Sequence, residues 1–199
     1  MSGNSERTAR RPDRRVKRTR DALGDALMAL FQEKPFDEIS VQEILDRAGI
    51  GRSTFYTHYR DKDDLFLSDV EEFMDMMSNL LLHSREDSNR VAPVRELFSH
   101  IAEMRQLHRA FMASEKLHDF LELGQGHFAR AIDRRLAELP ATVTMPAKQR
   151  TPMSQAFAGA LFSLMLWWVN QPEPASPAEM DDIFHKMVWS GVKAEVKSR

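Results

Sequence analysis

Residues 40–62 read SVQEILDRAGIGRSTFYTHYRDK, and this stretch decides the fold of the first part of the chain. Ser40 followed three residues later by Glu43 is a capping-box pattern, which predicts the start of a short helix. Gly49 stands at the predicted end of that helix, where a residue that tolerates a positive φ is favoured. A second short helix is predicted from residue 51 or 52 to residue 59. Two short helices joined by a tight glycine turn predict a helix-turn-helix.

Apolar residues of this stretch lie where the two helices must pack together: Ile44, Leu45, Ile50 and Phe55. The other positions of the second helix carry short or hydrogen-bonding side chains: Arg52, Ser53, Thr54, Thr57 and His58. Such side chains suit a helix laid in the major groove of DNA, where arginine reaches O6 and N7 of guanine and threonine offers its methyl group to thymine. We therefore expect Arg52 and Thr54 to read bases, whereas His58 suits a backbone contact equally well.

The run GIGRSTFYTHYRDK, residues 49–62, resembles the signature of TetR-family transcriptional regulators, roughly Gly-Val-Ser-x-x-Thr-Phe-Tyr-x-His-Phe-x-x-Lys. The chain departs from that pattern at Gly51, where the family has a capping serine, and at Tyr59, where it has phenylalanine. Glycine in place of a serine cap costs only a few tenths of a kcal/mol. The hydroxyl group of Tyr59 requires a partner or solvent. The resemblance covers residues 14–66, about a third of the chain.

The resemblance implies a cytoplasmic homodimer, in most members a repressor, that binds a palindromic operator in double-stranded DNA and releases it when a small molecule binds. The assignment of Tyr56 to a phosphate contact rests on it; the alternative is a core aromatic beside Phe55. The alternative is a DNA-binding regulator of the same fold that is controlled by a partner protein instead of a small-molecule ligand. The residues predicted to contact DNA are Arg14, Arg15, Lys17, Arg18, Ser40, Gln42, Arg52, Ser53, Thr54, Tyr56, Thr57, His58 and Lys62.

Charge is distributed unevenly along the 199 residues, although the net charge is only −2. Residues 1–20 hold eight basic and two acidic side chains, whereas residues 61–199 hold 16 basic and 21 acidic ones. This asymmetry favours a nucleic-acid-binding arm on an acidic body, against the alternative of a solvated tail. We predict a basic disordered arm over residues 1–13, the helix-turn-helix domain over residues 14–60 and a ligand-binding and dimerisation domain over residues 61–199.

Helical periodicity continues to the end of the chain, and no run shows the alternation of a strand. The predicted class is all-α: an N-terminal three-helix helix-turn-helix module followed by a C-terminal helical bundle. Two glycines leave open whether residues 115–139 form one helix or two. The helices are predicted over residues 14–34, 41–48, 51–59, 61–82, 88–108, 115–139, 152–170 and 177–196.

The helix over residues 152–170 carries no charge, yet polar residues keep its apolar run short of the roughly 20 residues that a membrane span needs. A helix that is apolar on nearly all faces must be covered, and a two-fold interface covers it. The resemblance likewise places the dimer interface in the last two helices, and which face of the first one meets the partner stays open. The predicted interface residues are Phe157, Leu161, Leu164, Trp168, Ile183, Phe184, Met187 and Gly191.

Aromatic and methionine side chains between residues 66 and 128 are expected to be mostly core, with some lining a site for a small apolar or amphipathic ligand. The residues assigned to that site are Phe73, Met77, Phe98, Met104, Phe111 and Phe128. Cysteine is absent and no two histidines have the i, i+4 spacing of a helical zinc site. No phosphate-binding loop, dinucleotide fingerprint or nucleophile elbow occurs. We therefore predict no metal, no cofactor and no catalytic residue.

Overall fold

The computed structural model describes residues 6–83, 88–105, 111 and 114–197, and the chain divides into two compact units, residues 1–69 and 70–199. The described residues form α-helices and one 3-10 turn, with no strand among them, which confirms the all-α prediction. None of the helices in these described ranges is long and apolar enough to cross a membrane.

The first unit begins with α1 (Glu6–Glu33), a 3-10 turn (Phe36–Glu38), α2 (Val41–Ala48) and α3 (Arg52–His58). α1 packs against α2, and α2 packs against α3. Their buried side chains form one apolar core: Leu23, Leu27, Phe31, Phe36, Ile44, Leu45 and Phe55. The predicted pairing of apolar faces in the helix-turn-helix is therefore confirmed.

α1 starts earlier than expected. Residues 6–13 extend α1 in the structure, so the predicted disordered arm is wrong for this part, and residues 1–5 lie outside the described residues. Arginine is a good helix former, and an existing helix grows by one hydrogen bond for each residue added. A basic composition is therefore compatible with a helical extension.

The boundary between the units falls at Asp69 and Val70, inside α4 (Lys62–Ser78), later than the predicted boundary at residue 60. Leu65 and Phe66 in the first turns of α4 are buried. The ring of Phe66 meets that of Phe36 edge to face, with 5.4 Å between ring centroids. These contacts make the start of α4 part of the helix-turn-helix unit.

The second unit continues with α5 (Leu80–His83), α6 (Val94–Glu103), α7 (Leu117–Glu138), α8 (Ala147–Val169) and α9 (Pro177–Lys197). α7 packs along α8, and α6 packs against α8 and α9. The largest fully buried side chains here are Phe98, Phe128, Phe162, Trp168 and Phe184. The question left open for residues 115–139 is answered by a single helix, α7.

Two further helix starts differ from the predictions, and proline caps explain both. α6 begins at Val94 with Pro93 as its N-cap, after the predicted start at residue 88. α8 begins after Pro146, before the predicted start at residue 152. Pro152 stands inside α8, where it removes one backbone donor without ending the helix.

Polar side chains cap the starts of α4 and α9. The carboxylate of Asp61 accepts a hydrogen bond of 2.8 Å from the amide of Asp64. Ser176 and Glu179 form a capping box, in which the carboxylate of Glu179 accepts from the Ser176 amide at 2.7 Å.

Candidate DNA-binding surface

α2 is held at its start by the predicted capping box. The hydroxyl oxygen of Ser40 accepts from the amide of Glu43 at 3.3 Å, and the Glu43 carboxylate accepts from the Ser40 amide at 2.9 Å. The ammonium group of Lys34 donates to the same carboxylate at 2.6 Å. The bond from Lys34, followed by those from Ser40, lowers the pKa of Glu43 to about 2. The cap therefore stays ionised throughout the neutral range.

The turn between α2 and α3 depends on Gly49, whose φ is 65° and ψ 31°, a left-handed conformation. Its amide donates to the carbonyl of Leu45, as does the amide of Ile50 at 3.1 Å. A Cβ at Gly49 would meet no atom within 4 Å. Glycine is favoured here by backbone conformation and not by lack of space.

α3 is anchored by Phe55, which is fully buried and is the one buried residue among residues 52–58. Five of the residues predicted to contact DNA are exposed on α3: Arg52, Ser53, Thr54, Tyr56 and Thr57. The guanidinium of Arg52 lies 5.6 Å from the ring centroid of Tyr56. The helix therefore presents hydrogen-bonding side chains around a fixed hydrophobic anchor.

Three further residues predicted to contact DNA lie at the start of α2 and the end of α3. Ser40 and Gln42 are exposed at the start of α2, where Ser40 belongs to the capping box and Gln42 donates to Asp46 at 2.8 Å. His58, at the end of α3, is half-buried. Which atoms of DNA these side chains reach remains a prediction.

Tyr59 is buried, and its hydroxyl oxygen accepts a hydrogen bond from Nε of Arg20 at 3.1 Å. Arg20 also donates to the hydroxyl of Ser68 at 2.9 Å. Burial raises the pKa of Tyr59, against the opposing effect of Arg20. Arg20 thus supplies the partner that the departure from phenylalanine required, and it ties α1 to the end of α3 and the start of α4. Its position among basic residues had suggested only a contribution to positive charge.

Lys62 occupies a different environment from the one predicted. Its ammonium group donates to the carbonyl oxygens of Phe36 at 2.8 Å, Asp37 at 3.1 Å and Ile39 at 2.9 Å. It also lies 4.7 Å from the ring centroid of Phe36. An ammonium group has three donors, so these bonds occupy all of them. Lys62 holds the 3-10 turn before α2 to the start of α4.

The basic residues predicted on α1 lie on its surface. Arg14, Arg15, Lys17 and Arg18 are all exposed. Their contact with phosphate stays a prediction, supported by the exposure of their charges on the helix that packs against α2.

The predicted dimer residues divide into two groups. Phe157, Leu161, Trp168 and Phe184 are buried within the chain itself, so their assignment to an interface is wrong. Leu164 is half-buried, whereas Ile183, Met187 and Gly191 are exposed. Trp167, which is not among the predicted interface residues, is 53% exposed. Periodicity identified the apolar positions but did not distinguish the inner face from the outer one.

The residues predicted to line an apolar ligand site mostly fill the core. Met77, Phe98, Phe111 and Phe128 are buried, and Phe73 and Met104 are half-buried. Their aromatic rings pack on neighbours: Phe98 on Trp168, Phe111 on Phe120, and Phe128 on Phe162, with centroid separations of 5.0 to 5.5 Å. A cleft of about 470 Å³ exists in the second unit, but its described lining contains none of the six.

Residues 23–68 match the family model described as bacterial regulatory proteins, tetR family. The HTH-type transcriptional regulator YxbF of Bacillus subtilis (strain 168) is 22% identical over 171 residues, which cover 83% of this chain and 42% of that protein. An HTH-type transcriptional regulator of Haemophilus influenzae (strain Rd) is 39% identical over 70 residues, 35% of this chain and 34% of that protein. This chain thus covers less than half of the length of either relative.

Solved structures share the fold. A TetR transcriptional regulator from Streptococcus agalactiae 2603V has a TM-score of 0.62 at 22% identity, covering 91% of this chain and 99% of that chain. The dihydroxyacetone kinase operon activator DhaS also has a TM-score of 0.62, at 14% identity, covering 88% and 97%. At such identities the likeness concerns the fold alone. Residues 23–68 are thus similar to the tetR family of bacterial regulatory proteins, and the chain shares the fold of these solved structures.

Proposed function

We propose that this chain is a sequence-specific DNA-binding transcriptional regulator whose α3 reads base edges in the major groove. One observation carries the proposal: α3 exposes Arg52, Ser53, Thr54 and Thr57 around the buried anchor Phe55, after a turn held by Gly49. A recognition helix requires such a face, and its first residues contact bases in known complexes of this motif. The exposed cations of α1 supply the sequence-independent attraction to phosphate.

We further propose that two copies act together on a palindromic operator. The exposed apolar side chains Trp167, Ile183 and Met187 lie on α8 and α9, where they are 53%, 50% and 41% exposed. A two-fold interface buries one such surface against its own copy. A dimer can then place two recognition helices one turn of DNA apart, about 34–36 Å.

Regulation by a ligand completes the proposal. α4 runs from the helix-turn-helix unit into the second unit, so it is the covalent connection through which a ligand bound in the second unit would act. The chain would exchange between a state that binds DNA and a state that does not. To shift this equilibrium from 1:99 to 99:1, the ligand must bind one of the two states more tightly by about 5.5 kcal/mol. We propose repression relieved by the ligand, because the family resemblance implies it.

The base-reading role is tested by selecting operator DNA from a random pool and measuring affinity for the selected and for random DNA. We expect Arg52→Ala and Thr54→Ala each to reduce the discrimination by about 1–3 kcal/mol. Arg95→Ala, which removes an exposed arginine of the second unit, is the control and should change neither affinity. Equal losses on both DNAs would exclude base reading, and a wild-type chain that selects no sequence would contradict the proposed function.

The direction of regulation requires its own measurement. We expect the wild-type chain to lower transcription in vitro from a promoter that carries the selected operator. A rise in transcription would contradict repression and agree instead with the role that the name of DhaS gives to that protein.

A further inference from the structure

The cleft of about 470 Å³ in the second unit is lined mainly by polar and charged side chains. Its volume lies within the range of small-molecule sites, about 300–1,000 Å³. α4 contributes Asp75, and α7 contributes the charged row described below. α8 contributes Thr151 and Gln155. The cleft is thus built by three helices, and its chemistry differs from that of an apolar pocket.

One row of side chains along α7 faces this cleft: His127, Arg130 and Arg134. They follow each other at i, i+3 and i+7, which places them on one side of a helix. The row spans about 10 Å, because a helix rises 1.5 Å per residue. Arg130 and Arg134 therefore stand one helical turn apart along the cleft.

The carboxylates of the cleft are already engaged. Asp133 accepts from Arg150 at 3.2 Å and from the hydroxyl of Thr151 at 3.0 Å. Asp75 accepts from the amide group of Asn79 at 2.9 Å, and its other neighbour is Nδ1 of His127, 3.8 Å away. Neither carboxylate forms an ion pair with an arginine of the row in the described part of the chain.

The arginines of the row keep most of their donors. Arg134 donates to the side-chain oxygen of Asn79, which uses one nitrogen of its guanidinium. Arg130 is exposed, and among the described residues it forms no hydrogen bond or ion pair. Arg150 neutralises the charge of Asp133. The remaining charged groups of the lining are then the guanidiniums of Arg130 and Arg134 and the carboxylate of Asp75. The unbalanced charge of the cleft is positive.

We propose that this cleft binds a small organic dicarboxylate, with one carboxylate on Arg130 and the other on Arg134. Arginine binds carboxylates through paired, charge-assisted hydrogen bonds, and two guanidiniums one turn apart select a ligand with two acidic groups. As the effector site of the regulator, the cleft replaces the apolar site predicted from the sequence. That regulatory role rests on the proposed function, whereas the binding itself does not.

Binding is tested by isothermal titration of the full chain with succinate, acetate and the diamine putrescine, in the absence of DNA and at constant ionic strength. We expect saturable binding of succinate, weaker binding of acetate and none of putrescine. Arg130→Gln should raise the Kd for succinate at least tenfold, the loss expected for a charged hydrogen bond of about 1.5 kcal/mol or more. Arg95→Gln, outside the cleft, is the matched control and should keep the wild-type Kd.

Three results would overturn the site: no saturable succinate binding by the wild-type chain, tighter binding of putrescine than of succinate, or an unchanged Kd in Arg130→Gln. Circular dichroism of both variants verifies that the helices persist. A separate measurement of affinity for the selected operator, with succinate against sodium chloride of equal ionic strength, tests the regulatory role. Release by succinate in the wild type but not in Arg130→Gln supports it. Binding without release would leave the site standing and overturn its role as effector site, and failure to bind DNA at all would contradict the proposed function alone.

Discussion

At the scale of the residue, Lys62 shows how a side chain that suits phosphate can be used inside the protein. In the sequence, its position just after the second helix of the helix-turn-helix predicts a contact with DNA. In the structure its ammonium group instead satisfies the carbonyl oxygens of Phe36, Asp37 and Ile39. These oxygens belong to the 3-10 turn and the residue after it, and an unsatisfied buried acceptor is costly. Lys62 thus stabilises the segment before α2, within the helix-turn-helix unit.

The two roles of Lys62 give different results for Lys62→Met, which keeps most of the aliphatic stem and removes the charge. We expect the free energy of unfolding to fall by about 1.5–3 kcal/mol, the range for hydrogen bonds of a charged group. The slope of log K against log salt for DNA should be unchanged. Urea unfolding and DNA titrations at several salt concentrations measure both quantities.

Lys17→Met is the matched control, because Lys17 is exposed on α1. It should leave stability unchanged and reduce the salt slope by about 0.9 for each phosphate that Lys17 neutralises. The structural role of Lys62 would be contradicted if Lys62→Met reduced the slope in the same way without affecting unfolding.

At the scale of the element, the two glycines of α7 have different roles. A Cβ at Gly124 would overlap the ring of Phe162 on α8, and it would also approach Met74 on α4. A Cβ at Gly126 would meet only the end of the flexible Arg130 side chain, at 3.3 Å. Gly124 therefore allows close packing of α7 on α8, and Gly126 is not required for it.

Gly124→Ala should lower the free energy of unfolding by about 1–3 kcal/mol, the usual cost of inserting a group into a filled core. Gly126→Ala, two residues away, should be neutral or raise stability by up to about 1 kcal/mol, because alanine is the better helix former. Urea denaturation of both variants measures the difference. A Gly124→Ala chain as stable as wild type would show that α7 and α8 can shift apart without cost.

α6 and α9 are joined by a buried ionic cluster around Asp181. This carboxylate accepts from Arg90 at 2.8 and 3.2 Å and from the amide of Arg95 at 3.1 Å. Burial alone would raise the pKa of Asp181, but the hydrogen bonds from His185 and Arg90 outweigh it and lower the pKa to about 2. Because folding lowers this pKa, the ionised carboxylate stabilises the fold at pH values above about 4, the ordinary pKa of an aspartate. That contribution is lost as the pH falls from about 4 towards 2.

Asp181→Asn should therefore reduce the free energy of unfolding at pH 7 by about 1.5–3 kcal/mol, the range for hydrogen bonds to a charged group, because Arg90 keeps its salt bridge to Glu96. The variant should also lose less stability than wild type between pH 4 and pH 2. Denaturant unfolding across this pH range measures both effects. Asp182→Asn, at an exposed neighbour, is the control and should follow the wild-type curve.

At the scale of the whole molecule, the proposed dimer depends on which apolar side chains of α8 and α9 remain uncovered. Ile183→Asp places a charge at an exposed position, so we expect the chain to stay folded and the dimer to dissociate. Leu161→Asp places a charge at a fully buried position and should unfold the chain, because a buried unpaired charge costs several kcal/mol. Sedimentation and circular dichroism of both variants separate the two outcomes. An Ile183→Asp chain that remains dimeric would place the interface elsewhere.

The sequence by itself was sufficient for the features that arise from bonds between near neighbours. The capping box at Ser40, the left-handed turn at Gly49 and the exposed polar face of α3 were all predicted. Each depends on residues within one or two helical turns, so the local pattern contains the whole interaction. The all-α class and the resemblance to the tetR family follow from the same local information.

Only the tertiary structure decided which surfaces are covered. Leu161 and Ile183 are equally apolar in the sequence, yet one is fully buried and the other is 50% exposed. Arg20, Lys62 and Arg130 are all cations in the sequence; the first two have hydrogen-bond partners in distant segments, while Arg130 lines a cleft. Burial and pairing of this kind depend on segments tens of residues apart, and helical periodicity records only that a face is apolar or charged, not what lies against it.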